Sequence, residues 1–202
     1  MGCGEGGTDN KMTAMEKRQD RFYLYLAWPA YLAQFFAHEM YRLKHYDDDT
    51  EPPYMYDCHR EPRDLEPVQT RKRSAENFVL EMCLKKQPDP VPERPPKNAT
   101  ICIEIPEFVG KPSYRFNYLT AVDKALLEQT VRNRCRMELL KWMNKLSTNA
   151  ELIRTGSNHT QETVLQAFMA ANGIEDTETN YLTIRDLWRR LYKYEHQKRR
   201  KK

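Results

Sequence analysis

The stretch Arg21 to Leu43, RFYLYLAWPAYLAQFFAHEMYRL, constrains the fold of this chain more than any other. From Phe22 to Ala37 it has no charged residue over 16 positions, in a chain where 31% of residues are charged. A membrane-spanning helix needs about 20 consecutive apolar residues. This run is shorter, contains Gln34, and has Pro29 in its middle. Proline breaks a helix interior but suits a first turn, so the stretch divides there. Before Pro29, Phe22, Leu24 and Leu26 alternate with Arg21, Tyr23 and Tyr25, the period-two signature of a half-buried strand over 21–27. After it, Leu32, Phe35, Phe36, Met40 and Leu43 recur at helical spacing, which predicts an amphipathic helix over 29–44. The stretch therefore reads as core, with no membrane partner.

A second alternating strand, ATICIEIP, places Ile101, Ile103 and Ile105 opposite Thr100, Cys102 and Glu104, and Pro106 ends it. The two strands are expected to pair, because each needs a neighbour for its backbone groups. Ser74 is placed to cap a helix, SAENFVLEMCLKK, and Thr120 with Asp123 forms a short capping box opening a helix to about Leu146. Helices are also expected over 161–172, with Gly173 as the stop, and from Thr179 to about Lys198. The expected fold is α+β and mostly helical: a two-stranded antiparallel ribbon packed with helices, plus a C-terminal helix-turn-helix-like unit.

Composition fills in the organisation. Residues 1–20 read as a disordered leader without the apolar core of a signal peptide. Met1-Gly2-Cys3 is followed by Gly6 where a myristoylation pattern requires Ser or Thr. A strand-helix core follows over 21–146. It contains a long loop, 45–73, and a stiff linker, 87–98, with five prolines in its twelve residues. A C-terminal helical unit with a basic tail spans 147–202. Five cysteines, an odd number without a CxxC pair, argue against a disulfide framework and for a reducing cytoplasmic setting.

Charge points to a partner. The net charge is only +4, but Asp186 to Lys202 holds eight Lys or Arg against two acids, while Asp47-Asp48-Asp49 concentrates the opposite sign. The C-terminal pattern places Asn180 and Arg185 near a helix start, where base edges would be read. Arg189, Arg190, Lys193 and Lys198-Arg199-Arg200-Lys201-Lys202 follow, where phosphates would be held.

The first unit, RFYLYLAWPAYLAQFFAHEM followed by SAENFVLEMCLKK, resembles the ribbon-helix-helix family of bacterial DNA-binding regulators. The resemblance implies a ribbon entering the major groove, with Arg21, Tyr23 and Tyr25 as its readers. It also implies a phosphate at the start of the second helix, beside Arg71, Lys72 and Arg73. The family's short interhelical loop is replaced here by about thirty residues. ATICIEI would supply the second strand within one chain, and Glu104 would then face the phosphates. Two blocks, IEIPEF with NYL and NGIE with TETNY, resemble small uncharacterised proteins of bacterial mobile elements or phages.

Chemistry is not expected. No phosphate-binding glycine loop, nucleophile elbow or metalloprotease helix is present. His38, His45, Cys58 and His59 match no common zinc spacing, and His38 reads as a hydrogen-bonded boundary residue. Asp47, Asp48, Asp49 and Glu51 read as a solvated loop rather than a magnesium site. The expectation is a non-enzymatic protein without metal or cofactor: a DNA-binding accessory or regulatory protein of a mobile element or phage. The alternative is an interaction or structural component of a phage or conjugation assembly, binding a protein partner or a second copy of itself.

Overall fold

Pro29 divides the uncharged stretch where the alternation ends. In the computed structural model, which describes residues 21–45, 54–88, 95–148 and 161–200, the chain runs β1 (Tyr23–Leu26), α1 (Ala30–Lys44), β2 (Pro67–Gln69), α2 (Ala75–Cys83), β3 (Lys85–Lys86), β4 (Ile101–Glu104), β5 (Phe116–Tyr118), α3 (Ala121–Thr148), α4 (Gln161–Ala171) and α5 (Glu178–Arg200). The Pro29 carbonyl accepts from Leu32 N at 2.9 Å and Ala33 N at 3.1 Å, so α1 starts without a side-chain cap. Thr100 clamps the joint: its hydroxyl accepts from Trp28 N at 2.9 Å and donates to the Trp28 carbonyl at 2.7 Å. No helix among the described residues is long and apolar enough to cross a membrane.

The expected pairing is present. β1 and β4 are antiparallel, with Leu24 opposite Ile103 and Leu26 opposite Ile101. The ribbon is not two-stranded, however. β2 joins the other edge of β4 in parallel, giving the order β1-β4-β2, and a separate pair joins β3 to β5. From sequence, 45–73 reads only as a long loop, because a three-residue strand such as β2 is too short to show a period. Leu24, Leu26, Val68, Ile101 and Ile103 share one sheet face and are buried.

α1 departs from the amphipathic expectation. Every residue from Tyr31 to Met40 is buried, including Gln34, His38 and Glu39. A helix enclosed on all sides must satisfy its polar groups internally. Each of these three holds a different part of the chain. Gln34 binds the turn between α4 and α5, His38 Nδ1 lies 3.2 Å from the Tyr54 carbonyl, and Glu39 binds Arg42 and approaches Arg134 of α3.

The capped starts form as expected. Ser74 Oγ accepts from Asn77 N at 3.1 Å. Asp123 Oδ2 accepts from Thr120 N at 3.1 Å while Thr120 Oγ1 accepts from Asp123 N at 3.3 Å, a reciprocal box. Along α3, Leu127, Val131, Cys135 and Leu139 recur every four residues and are all buried. Cys58, Cys83, Cys102 and Cys135 are free and buried, consistent with small apolar packing. The leader, Cys3, the acidic residues Asp47 to Glu51, half of the proline-rich linker (89–94) and the connector 149–160 lie outside the described residues.

Candidate nucleic-acid interface

The register of the sheet fixes where the expected readers go. Tyr23 opposes Glu104, Tyr25 opposes Cys102, and Gln69 lies beside Glu104 on the other edge. These residues share the face away from the Leu24–Ile103 row. That face is only partly open. Tyr23 is 36% exposed, Tyr25 is half-buried, and Cys102 beside it is buried. Burial, then the neighbouring Cys102 thiol with which its hydroxyl hydrogen-bonds, pushes the Tyr25 phenol up to about 12. Of the three proposed readers, Arg21 and Tyr23 face solvent, and Tyr25 is a packing residue.

Glu104 is not left facing an anion unaided. Its Oε2 accepts from Arg21 Nη1 at 3.3 Å and from Gln69 Nε2 at 2.9 Å. Gln69 Oε1 in turn accepts from Lys44 Nζ at 3.3 Å. A polar chain thus crosses the sheet end: Arg21, Glu104, Gln69, Lys44. Sequence reading missed Lys44 and Gln69, because their role depends on a strand it did not find.

The same topology brings the Arg71–Arg73 run here. β1 is antiparallel and β2 parallel to β4, so the start of β1 and the end of β2 lie at one end of the sheet. Arg21 precedes Tyr23 by two residues and Arg71 follows Gln69 by two. Arg71, Lys72 and Arg73 are exposed and form no ion pair with other described residues. The Arg71 carbonyl accepts from Ser74 N at 3.0 Å, and Arg73 takes a left-handed φ of 68° in that turn.

The basic C-terminal helix lies elsewhere and differs from expectation at its start. Asn180 is buried, and Nδ2 donates to Gln34 Oε1 at 3.2 Å and to the Glu175 carbonyl at 3.0 Å. Gln34 Oε1 also accepts from Glu175 N at 3.1 Å. His59 Nε2 lies 3.2 Å from Glu175 Oε2. Asn180 is therefore corrected from a base reader to a docking residue: the first turn of α5 is turned onto α1. A buried amide needs partners, and a fixed Gln at position 34 supplies them.

Further along α5 the cations divide. Arg185 is half-buried, lies over the Tyr181 ring at 5.9 Å, and approaches Asp186 at 3.8 Å. Arg189 also reaches Asp186, at 3.8 Å. Arg190 and Lys193 are exposed and pair with no described residue. The backbone of Lys198, Arg199 and Arg200 continues the helix, and Lys201 and Lys202 lie outside the described residues. Gln34 and Lys44 are ten residues apart on α1, about 15 Å at 1.5 Å per residue. The sheet-end cations and the start of α5 thus meet opposite ends of α1 and do not form one site.

Beside the sheet end is a cleft of about 310 Å³. Tyr41, Lys44, His45, Tyr54, Glu66, Gln69, Glu104 and Arg21 contribute to its lining. Tyr41 stacks on His45 with ring centroids 4.3 Å apart and on Tyr54 at 4.5 Å. Tyr54 donates its hydroxyl to Glu66 Oε2 at 2.7 Å, and burial followed by that carboxylate raises its phenol far above the usual range. Tyr41 and His45, four residues apart across the C-terminal end of α1, are the sequence signal that could have pointed to this wall. Among the described residues no cluster of three or more His, Cys, Asp or Glu could hold a metal ion. No protein-family model matches this chain, and neither a curated protein nor a solved structure matches it.

Proposed function

We propose that the protein binds nucleic acid, as an accessory or regulatory protein of a bacterial mobile element or phage, and that it makes no covalent chemistry of its own. The observation that carries this reading is the run Arg71-Lys72-Arg73, exposed and without an ion pair among the described residues, at the same sheet end as Arg21 and Lys44, whose side chains are held by Glu104 and Gln69. Exposed cations without carboxylate partners neutralise phosphates and release condensed counterions. The exposure of Arg21 and Tyr23, at the rim of a three-stranded sheet rather than on a free ribbon, supports a contact there. Arg190, Lys193 and the end of α5 supply a second, sequence-tolerant contact. This differs from a helix-turn-helix, whose second helix would present its first turn to the groove.

The experiment is fluorescence anisotropy of the full chain with a random duplex and with a single strand, over a salt series. Binding whose logarithm falls linearly with the logarithm of salt supports the reading. No binding at low salt overturns it.

A second reading has its own observation. Phe78 and Met82 on α2 are 59% and 64% exposed, and Val122 and Leu126 on α3 are 78% and 48% exposed. α2 and α3 pack together, so these two i,i+4 pairs favour a protein-interaction role in a phage or conjugation assembly. Failure of nucleic-acid binding would bring this reading forward.

A further inference from the structure

We propose that the cleft beside the sheet end takes one nucleotide unit, an unpaired base with its phosphate, so that the preferred partner is single-stranded. The inference rests on the nucleic-acid reading of the same sheet end and names the form of the ligand.

Three features of the cleft support it. First, its wall is a stack of flat rings. Tyr41 packs against both His45 and Tyr54, and His45 is exposed at the end of the stack. Every base has a π-face, so such a platform takes any base that is out of its duplex. Second, charge is graded from rim to floor. Arg21 keeps 62% of its side chain exposed and Lys44 is exposed at the helix end, while Glu104 is 20% exposed and already bound by Arg21 and Gln69. The cations face outward, where a phosphate would sit, the Glu104 carboxylate is held inward, and the exposed Glu66 carboxylate is bound by the Tyr54 hydroxyl. Third, two exposed residues of the lining offer base-edge partners. Glu66 accepts from Tyr54 but retains acceptor capacity, and the Gln69 amide, bound to Glu104 and Lys44, keeps one N–H and one oxygen lone pair. At about 310 Å³ the space is at the lower end for small ligands, of the order one nucleotide occupies.

The Arg71–Arg73 run extends the path. It leaves the sheet beside Gln69, so a strand with one base in the cleft meets further cations where its next phosphates would lie. A duplex could engage those cations but could not place a paired base on the rings.

The test uses full-length protein and a thymidine 12-mer carrying a single 2-aminopurine, with the matched duplex and adenosine monophosphate as comparisons. Insertion predicts saturable quenching of the single strand, competition by the mononucleotide, and tighter binding of the strand than of the duplex. His45→Ala, an exposed position, is expected to weaken the strand about tenfold and the duplex little, in line with base–aromatic stacking. Tyr41→Leu should do the same if it folds, as judged by circular dichroism. A strand that binds more tightly than the mononucleotide supports the single-stranded partner, and equal affinity assigns the cleft to a free nucleotide and overturns the preference for a strand. Binding of strand and duplex alike, unquenched and indifferent to His45→Ala, overturns the cleft while leaving the nucleic-acid reading standing. No binding of any probe overturns both.

Discussion

Arg134 of α3 grips both carboxylate oxygens of Glu76 on α2, with Nε to Oε1 and Nη2 to Oε2 at 2.8 Å each, and Glu76 is wholly buried. The same guanidinium lies 3.9 Å from Glu39 of α1, whose carboxylate is also held by Arg42 at 3.0 and 3.2 Å. Three helices thus meet at one cation. Removing one partner of a buried pair strands the other, at a cost of about 3–5 kcal/mol, whereas replacing both with apolar groups is often near neutral. Arg134→Met should therefore destabilise strongly in urea unfolding. Glu76→Leu with Arg134→Met should recover much of that loss, less whatever Glu39 forfeits. A double variant as unstable as the single would mean the pair is not what the single removes.

Gly173 offers a test of close approach. Its φ is +63°, and a Cβ there would lie 2.5 Å from the Tyr54 carbonyl oxygen and 2.8 Å from His38 Cβ. Gly110 has a similar φ of +77° with nothing within 4 Å. Gly110→Ala should cost only left-handed backbone strain, about 1–2 kcal/mol. Gly173→Ala should cost clearly more, because the carbonyl and the buried histidine cannot both retreat. Thermal melts of the two variants give the difference directly, and equal losses would remove the contact from the argument.

How far the sequence revealed this fold follows from length and period. The β1–Pro29–α1 unit, the strand Ile101–Glu104 and the caps at Ser74 and Thr120 were legible, since each carries several residues of one period or a named cap. β2, β3 and β5 have three, two and three residues, too few to declare alternation. Their partners, distant in sequence, decide them. The burial of α1 on every side was hidden for another reason. His38 reads from sequence as a hydrogen-bonded boundary residue, but the partners that let Gln34, His38 and Glu39 be fully buried, the α4–α5 turn, the Tyr54 segment and Arg134, are distant in sequence. Asn180 was misread for the same cause. A polar residue at a helix start looks the same whether it faces a groove or a buried glutamine.

Acid should loosen two places. Thr120 and Lys85 hydrogen bonds to the Asp123 carboxylate hold it down at about 2. A carboxyl lowered in the folded state stabilises above its unfolded value near 4, and that contribution is lost as pH falls towards about 2. His38 is also lowered, chiefly by burial, against the opposing Tyr54 carbonyl. In the window below the unfolded histidine value of about 6.5, the unfolded chain binds a proton that the folded one refuses, so stability declines as pH falls. Unfolding midpoints should drop first below about 6.5 and again below about 4. His38→Gln should flatten the first step, and Asp123→Asn should flatten the second. An unchanged first step in His38→Gln would assign it to another group.

The last prediction separates docking from phosphate contact on one helix. Asn180 faces Gln34, while Arg190 and Lys193, three and four turns on, are exposed and pair with no described residue. Asn180→Leu leaves the Gln34 amide and the Glu175 carbonyl short of a partner. Stranding buried polar groups costs about 1–3 kcal/mol, so this variant should lose stability and expose the α4–α5 turn to proteolysis. Its salt slope for a random duplex should stay unchanged at temperatures where it is folded. Arg190→Ala with Lys193→Ala should do the opposite. Stability should hold, and the slope of log affinity against log salt should flatten by about 1.8 if both cations neutralise phosphates, at about 0.9 per contact. The matching changes at Arg71, Lys72 and Arg73 should flatten it by up to about 2.7 on the same arithmetic. Arg185→Ala should have less effect than Arg190→Ala, because its guanidinium lies over Tyr181 and near Asp186. If the α5 and sheet-end variants leave the slope untouched while binding persists, the contact surface lies elsewhere on the chain. If only the sheet-end variants change it, α5 is a structural strut whose basic end serves another partner.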